Sequence, residues 1–361
     1  MSSLPEIVLT EECMRDGLQI ERIVSVEQKL ELLESLVAAG LKRIVVGSFV
    51  SPKWTPQMAD TDELLARLTP QPGVTYLALA LNRKGFERMR AWQPLLTIDE
   101  TPRTHLHLDP IFIKRNTNRT MEQQDDTWST PIQEATAKEA AIGLSAAWGS
   151  NFTGPTSRDA RVAALERQFD AWSEAGKTVV SMTLADPMGW TAPSVLAEDL
   201  TLFAARFPTI REFNLHLHNT RGLALTSAYA AISSLGEEHR LLIDTAVGAI
   251  GGCPNCGNGQ AAGMIPTEDM VQMLESMGVD TGVDLYRLAE ASALLSEMVG
   301  RRLESKVSLA GPMPTTGDRF YSVDLPVIET LEEAQHFRLG PAVCEGKPRP
   351  WLGSGSVSRR S

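Results

Sequence analysis

The chain has 361 residues, enough for one large or two modest domains and for an apolar core that needs no disulfide staples. Its 34 Lys+Arg against 45 Asp+Glu give a net charge of −11, which excludes a general nucleic-acid binder but leaves room for a local basic patch facing a phosphate-bearing ligand. Four cysteines, at positions 13, 253, 256 and 344, exclude a disulfide scaffold. No run nears the roughly 18 apolar residues that span a bilayer. Met1 to Glu12 has neither a basic n-region nor an apolar h-region, so the expectation is a soluble cytoplasmic protein without a membrane partner.

Short runs rich in Val, Ile, Leu and Thr alternate with helical patterns along the chain. The strands expected are Glu6–Glu12, Arg43–Ser48, Thr75–Ala80, Thr104–Leu108, Ala141–Ala146, Thr178–Leu184, Glu212–His218 and Leu241–Val247. Between the first two, Val26–Ala39 places Leu30, Leu33, Leu36 and Val37 on one helical stripe. The fourth unit is less regular: Asn116 to Ser129 is polar, and Pro131 interrupts the helix that follows. Arg158–Ala175 is helical by the spacing of Val162, Leu165, Phe169 and Trp172, with a start near Ser157 and a stop at Gly176. Eight strands with helices between them predict an α/β fold, a (β/α)8 TIM barrel, over a doubly wound open sheet. The pattern changes near Lys306. Residues 1–305 read as the barrel, 306–361 as a C-terminal arm on the barrel or on a neighbouring subunit, and the final SGSVSRRS as disordered.

In such a barrel the chemistry sits at the C-terminal ends of the strands. Strand one runs into Arg15 and Asp16, strand two ends at Ser48, strand six at Asp186, and strand seven at His216 and His218. Strand eight leads into a Gly-rich loop holding Cys253, Cys256 and Asn258. His216 and His218 are two apart, so they share a strand face and can ligate one divalent ion with Asp16 as the carboxylate partner. His105 and His107 have the same spacing, so spacing alone does not discriminate; packing or substrate contact is the role expected of them. Arg15 reads either as a surface ion pair with Asp16 or as a donor to a developing oxyanion. Asp186 is either a general base or a helix cap. Cys253 and Cys256 lack the surroundings of a redox motif and the second pair of a zinc knuckle, which leaves a proton donor on a loop or an incidental thiol.

Four segments together resemble one family: MRDGLQIE at 14–21, SFVSPKWTPQMAD at 48–60, LHLHNTRGLAL at 215–225 and IGGCPNCGNGQAAGMIPTEDMVQMLESMGVDTGVDL at 250–285. They are similar to 3-hydroxy-3-methylglutaryl-CoA lyases, metal-dependent lyases and Claisen-type synthases on (β/α)8 barrels. The likeness covers about residues 5–307. It implies a carbon–carbon lyase acting on a 3-hydroxyacyl-CoA, with Mg²⁺ or Mn²⁺, or else Zn²⁺, as the metal. It implies Asp16, His216, His218 and Asn258 as metal ligands and Arg15 as the group that stabilises an enolate. Asp186, or His216 near the metal, would move a proton, and Cys253 would act as the loop acid–base group. Gln19 and Glu11 fall near the metal, with Ser48 and Trp148 at the pocket. Arg22, Lys114, Arg115 and Asn116 fall where the family handles coenzyme A. The resemblance further implies a homo-oligomer, dimer or tetramer. The sequence departs from the family pattern at Val45, in place of a strand-two glutamate, at Pro187 after the aspartate, and at Met264, in place of a metal-binding asparagine. A condensing synthase on the same metal site, and a non-catalytic binding protein on the same scaffold, are the competing readings.

Overall fold

The computed structural model describes residues 4–257, 263–317, 319–320 and 334. The chain divides into a unit of Met1–Ser308 and a second of Leu309–Ser361. Most of the expected C-terminal arm, and the SGSVSRRS tail, lie outside the described residues.

Eight parallel strands form one curled sheet: β1 (Glu6–Glu11), β2 (Arg43–Ser48), β3 (Thr75–Leu79), β4 (Leu106–His107), β5 (Glu139–Ser145), β6 (Thr178–Asp186), β7 (Glu212–Leu217) and β8 (Arg240–Ala246). Their order is β3-β2-β1-β8-β7-β6-β5-β4, the circular order of a (β/α)8 barrel. No ladder joins β3 to β4 among the described residues. Isolated parallel bridges from Tyr76 to Leu96 and from Arg103 to Ala141 flank that seam. A two-residue strand, Ile265–Pro266, adds to β8.

The helices form where the sequence supplies both a cap and an apolar face. In α1 (Val26–Ala38), Ser25 accepts from the Gln28 N–H and Gln28 returns the bond, a capping box, and Leu32, Leu33 and Leu36 are buried. The irregular fourth unit becomes three short helices, Pro110–Thr117, Met121–Asp125 and Ser129–Glu134, with Pro131 tolerated inside the first turn of the third. The long helix Arg158–Glu174 starts at the Ser157 cap, stops before Gly176 at φ 72°, and buries Leu165 and Trp172.

The alternation along β7 positions the site. Phe213, Leu215 and Leu217 are fully buried in the layer between sheet and helices. Asn214, His216 and, just past the strand, His218 therefore face the barrel interior. In β8, Leu241 and Ile243 pack outward in the same way, which turns Asp244 inward beside His216.

Candidate active site

β1 runs directly into one tight turn, Cys13–Gly17, with i→i+5 geometry. The Gly17 N–H reaches the Glu12 carbonyl at 3.0 Å. This turn, of a kind found often at functional sites, projects Arg15 and Asp16 over the C-terminal ends of the strands. Ligand atoms of Asp16, His216 and His218 all lie within 4.8 Å of one another. The contact joins residues 200 apart in sequence, as the two-imidazole, one-carboxylate reading expects.

The donor set fits a divalent cation. His216 donates from Nδ1 to Asp244 Oδ2 at 2.9 Å, which leaves Nε2 as its lone-pair nitrogen. That Nε2 lies 3.2 Å from His218 Nε2, so two imidazole nitrogens converge on one point. His218 Nδ1 is buried without a hydrogen-bond partner. Asp16 Oδ1 accepts from Arg15 Nη1 at 2.9 Å and from Gln19 Nε2 at 2.6 Å, and Oδ2 accepts from the Gly252 N–H at 3.1 Å. Gly251, at φ 122°, lets the loop lie this close: a Cβ there would stand 2.9 Å from Asp16 Oδ2.

The electrostatics follow from burial and from these partners. Burial alone would raise the Asp16 carboxyl, but Arg15 and the two imidazoles outweigh it and hold the group below the ordinary range. Burial works against charge on both histidines. It takes His218 down to about 4, whereas the bond and charge of Asp244 lift His216 above its ordinary value. Glu12, pushed up to about 7 by burial against the pull of Arg15, sits with Oε2 2.7 Å from Arg15 Nε.

Asp186 stands at the end of the neighbouring strand, its carbonyl bonded to the His218 N–H at 3.1 Å. It caps no helix: Pro193–Arg206 begins without a side-chain cap. Oδ2 instead accepts from both the N–H and the hydroxyl of Thr191, while Oδ1 is buried without a partner. Burial raises its pKa. Cys253 follows Gly252 in the loop that touches Asp16 and Gln19. A hydrogen bond from the buried Cys256 thiol lowers the Cys253 pKa and raises that of Cys256. Asn255, between them, donates to Asn116 Oδ1 at 3.2 Å, and Asn116 Nδ2 reaches His107 Nε2 at 3.1 Å, so the loop is tied to β4. His105 bonds Ser145 at 2.8 Å in the space left by Gly143, where a Cβ would stand 2.4 Å from the ring.

Not every expected residue arrives here. Trp148, expected at the pocket, is buried with Nε1 donating to Asp199 Oδ2 at 2.9 Å; an indole N–H needs a partner, and Asp199 on the helix Pro193–Arg206 supplies it. Arg22, expected on coenzyme A, donates to the carbonyls of Met298 at 2.6 Å and Glu297 at 3.1 Å, closing the last turn of the helix Leu285–Val299. Glu11, expected near the metal, spends its carboxylate on the N–H groups of Cys13 and Val247 and on the Thr267 hydroxyl. Ser48 is buried, its carbonyl accepting from Thr61. Lys114 and Arg115 are exposed on the helix Pro110–Thr117, with the Arg115 guanidinium 4.8 Å over the Phe152 ring. Asn258 lies outside the described residues. Sequence reasoning missed Asp244, Glu12 and Thr191. An acid inside the apolar run LLIDTAV was the available signal for Asp244.

A curled parallel α/β sheet of barrel order, with two imidazoles and a carboxylate gathered at the strand ends, is the architecture of a (β/α)8 barrel protein with a donor set that a divalent ion would fit at its mouth. The HMGL-like family model matches residues 6–295, and the chain belongs to that family. It is 32% identical over 314 residues to the human mitochondrial hydroxymethylglutaryl-CoA lyase, covering 86% of this chain and 91% of that one. To the Pseudomonas mevalonii hydroxymethylglutaryl-CoA lyase it is 32% identical over 302 residues, 82% of this chain and 93% of the other. The crystal structure of hydroxymethylglutaryl-CoA lyase from Pseudomonas aeruginosa superposes with a TM-score of 0.69 at 30% identity, covering 85% of this chain and 98% of that one. The carboxyl transferase domain of Rhizobium etli pyruvate carboxylase, at 17% identity and a TM-score of 0.52, shares the fold.

Proposed function

We propose that this chain is a divalent-metal-dependent carbon–carbon lyase that cleaves a 3-hydroxy-3-methylglutaryl-CoA-like thioester to an acyl-CoA, acetyl-CoA in the parent case, and a keto acid. The observation that carries this reading is the convergence of Asp16, His216 and His218 beside Arg15 in a member of this family. Mg²⁺ or Mn²⁺ suits the donor set, and Zn²⁺ is compatible with it. Bound there, the ion supplies Lewis acidity to the substrate hydroxyl and thioester carbonyl.

The chain's own groups divide the remaining work. Asp186, buried and with Oδ1 unpartnered, takes the hydroxyl proton. As the O–H electron pair becomes the new C=O, the C2–C3 bond breaks and its electrons pass into the thioester as an enolate. Arg15, its charge secured by Glu12 and Asp16, donates to the enolate oxygen. Cys253 delivers a proton to the carbon; its pKa, lowered by Cys256, makes it the stronger acid of the two thiols. His216 serves as a ligand, its Nδ1 already committed to Asp244. The exposed Lys114 and Arg115, with Asn116, suit the phosphates of coenzyme A. No described helix is long and apolar enough to cross a membrane. We place the enzyme in the cytoplasm, as a homo-oligomer.

The test is incubation of the protein and Mg²⁺ with 3-hydroxy-3-methylglutaryl-CoA and homologues of varied acyl chain, followed by mass spectrometry. Stoichiometric acyl-CoA and keto acid are expected from at least one ester. Intact thioesters throughout would overturn the reading.

A further inference from the structure

Arg15 is held by two carboxylates on different atoms. Nη1 donates to Asp16 Oδ1 at 2.9 Å, and Glu12 Oε2 lies 2.7 Å from Nε as an ion pair whose angle is not that of a hydrogen bond. The two carboxylates are not equivalent. Asp16 is shared with Gln19 and Gly252 and belongs to the candidate metal set. Glu12 is 4% exposed, and among the described residues its side chain pairs with no cation other than Arg15. The backbone fixes the pairing, because the Arg15 N–H donates to the Glu12 carbonyl at 3.0 Å within the same turn.

A cation at Asp16 and a guanidinium at Asp16 compete for one carboxylate. Once Asp16 turns its charge to a dication, the repulsion between ion and guanidinium acts at short range in a poorly screened site. Arg15 then keeps its place if a second carboxylate holds it at a different guanidinium atom, and Glu12 meets Nε while Asp16 meets Nη1. The strand-two position that faces the same interior is Val45, which offers none. We propose that Glu12 is the positioning residue for Arg15: it anchors Nε so that the guanidinium stays aimed at the enolate oxygen while Asp16 binds metal, and it is not itself a ligand. This rests on the lyase reading above.

The competing role is concrete, since ligand atoms of Glu12, His216 and Asp244 also lie within 4.8 Å of one another. The experiment compares Glu12→Gln, Glu12→Asp, Arg15→Ala and the double variant Glu12→Gln/Arg15→Ala. Mn²⁺ affinity is read by electron paramagnetic resonance, kcat and KM by acyl-CoA release, and the Arg15 Nε–H signal by arginine-selective ¹⁵N NMR. Glu12→Gln should leave Mn²⁺ affinity within about twofold and lower kcat about 10- to 100-fold with KM little changed. It should shift the Arg15 Nε–H signal and add nothing further to Arg15→Ala. Glu12→Asp, which keeps the charge, should recover part of kcat, and it carries the test if Glu12→Gln does not fold. An unchanged kcat, losses that multiply in the double variant, or a tenfold fall in Mn²⁺ affinity would overturn the proposal, the last by making Glu12 a ligand. If the wild type cleaves no ester, the lyase reading fails, while the Nε–H signal still decides whether Glu12 anchors Arg15.

Discussion

At the scale of single residues, neighbours decide what each titratable group can do. Cys256 is fully buried against Phe112, Ala146 and Met188, and its thiol donates to Cys253. A donor stabilises the thiolate and so lowers the Cys253 pKa; removing the donor must raise it. The rate of Cys253 alkylation by iodoacetamide should therefore reach half its plateau below the ordinary thiol range in the wild type and at higher pH in Cys256→Ala. Identical midpoints would remove Cys256 from the account. The same logic applies to Arg22 and Trp148, whose partners in the structure are protein groups. Charge and aromaticity mark a residue as needing a partner. They do not say whether that partner is a ligand, a carbonyl of Met298 or a carboxylate 51 positions away on Asp199.

At the scale of elements, what was legible was what repeats locally. The period-two run FNLHLH assigns Leu215 and Leu217 to the helix layer and His216 and His218 to the interior, and the structure follows it. All eight expected strands exist, with β4 reduced to Leu106–His107 and followed by the short helix Pro110–Thr117. What was not legible was the tight turn Cys13–Gly17, in which the Gly17 N–H meets the Glu12 carbonyl and a Cβ at Gly17 would stand 2.6 Å from Ile250. The helix Arg158–Glu174 offers a check on the packing argument. Trp172 is fully buried, and its Nε1 donates to Thr104 Oγ1 at 3.1 Å, tying helix to sheet. Trp172→Ala should cost about 3–5 kcal/mol of unfolding free energy in urea titration, from lost burial plus an orphaned hydroxyl. A loss below about 1 kcal/mol would contradict the packing assigned to that helix.

At the scale of the whole molecule, the site exists only because the sheet closes β1 against β8 and β7. The register from Glu6↔Arg240 to Glu11↔Thr245 carries the turn after β1 to the histidines after β7. A contact between residues 16 and 216 leaves no trace in local pattern; the barrel reading, strengthened by the family's ordered motifs, was the route to it. The most direct measurement is acyl-CoA release from 3-hydroxy-3-methylglutaryl-CoA by chelator-treated protein titrated with Mn²⁺. The account predicts no release without metal, recovery that saturates near one ion per chain, and no recovery at the same concentrations in His218→Ala. Full turnover in the metal-free protein would contradict it.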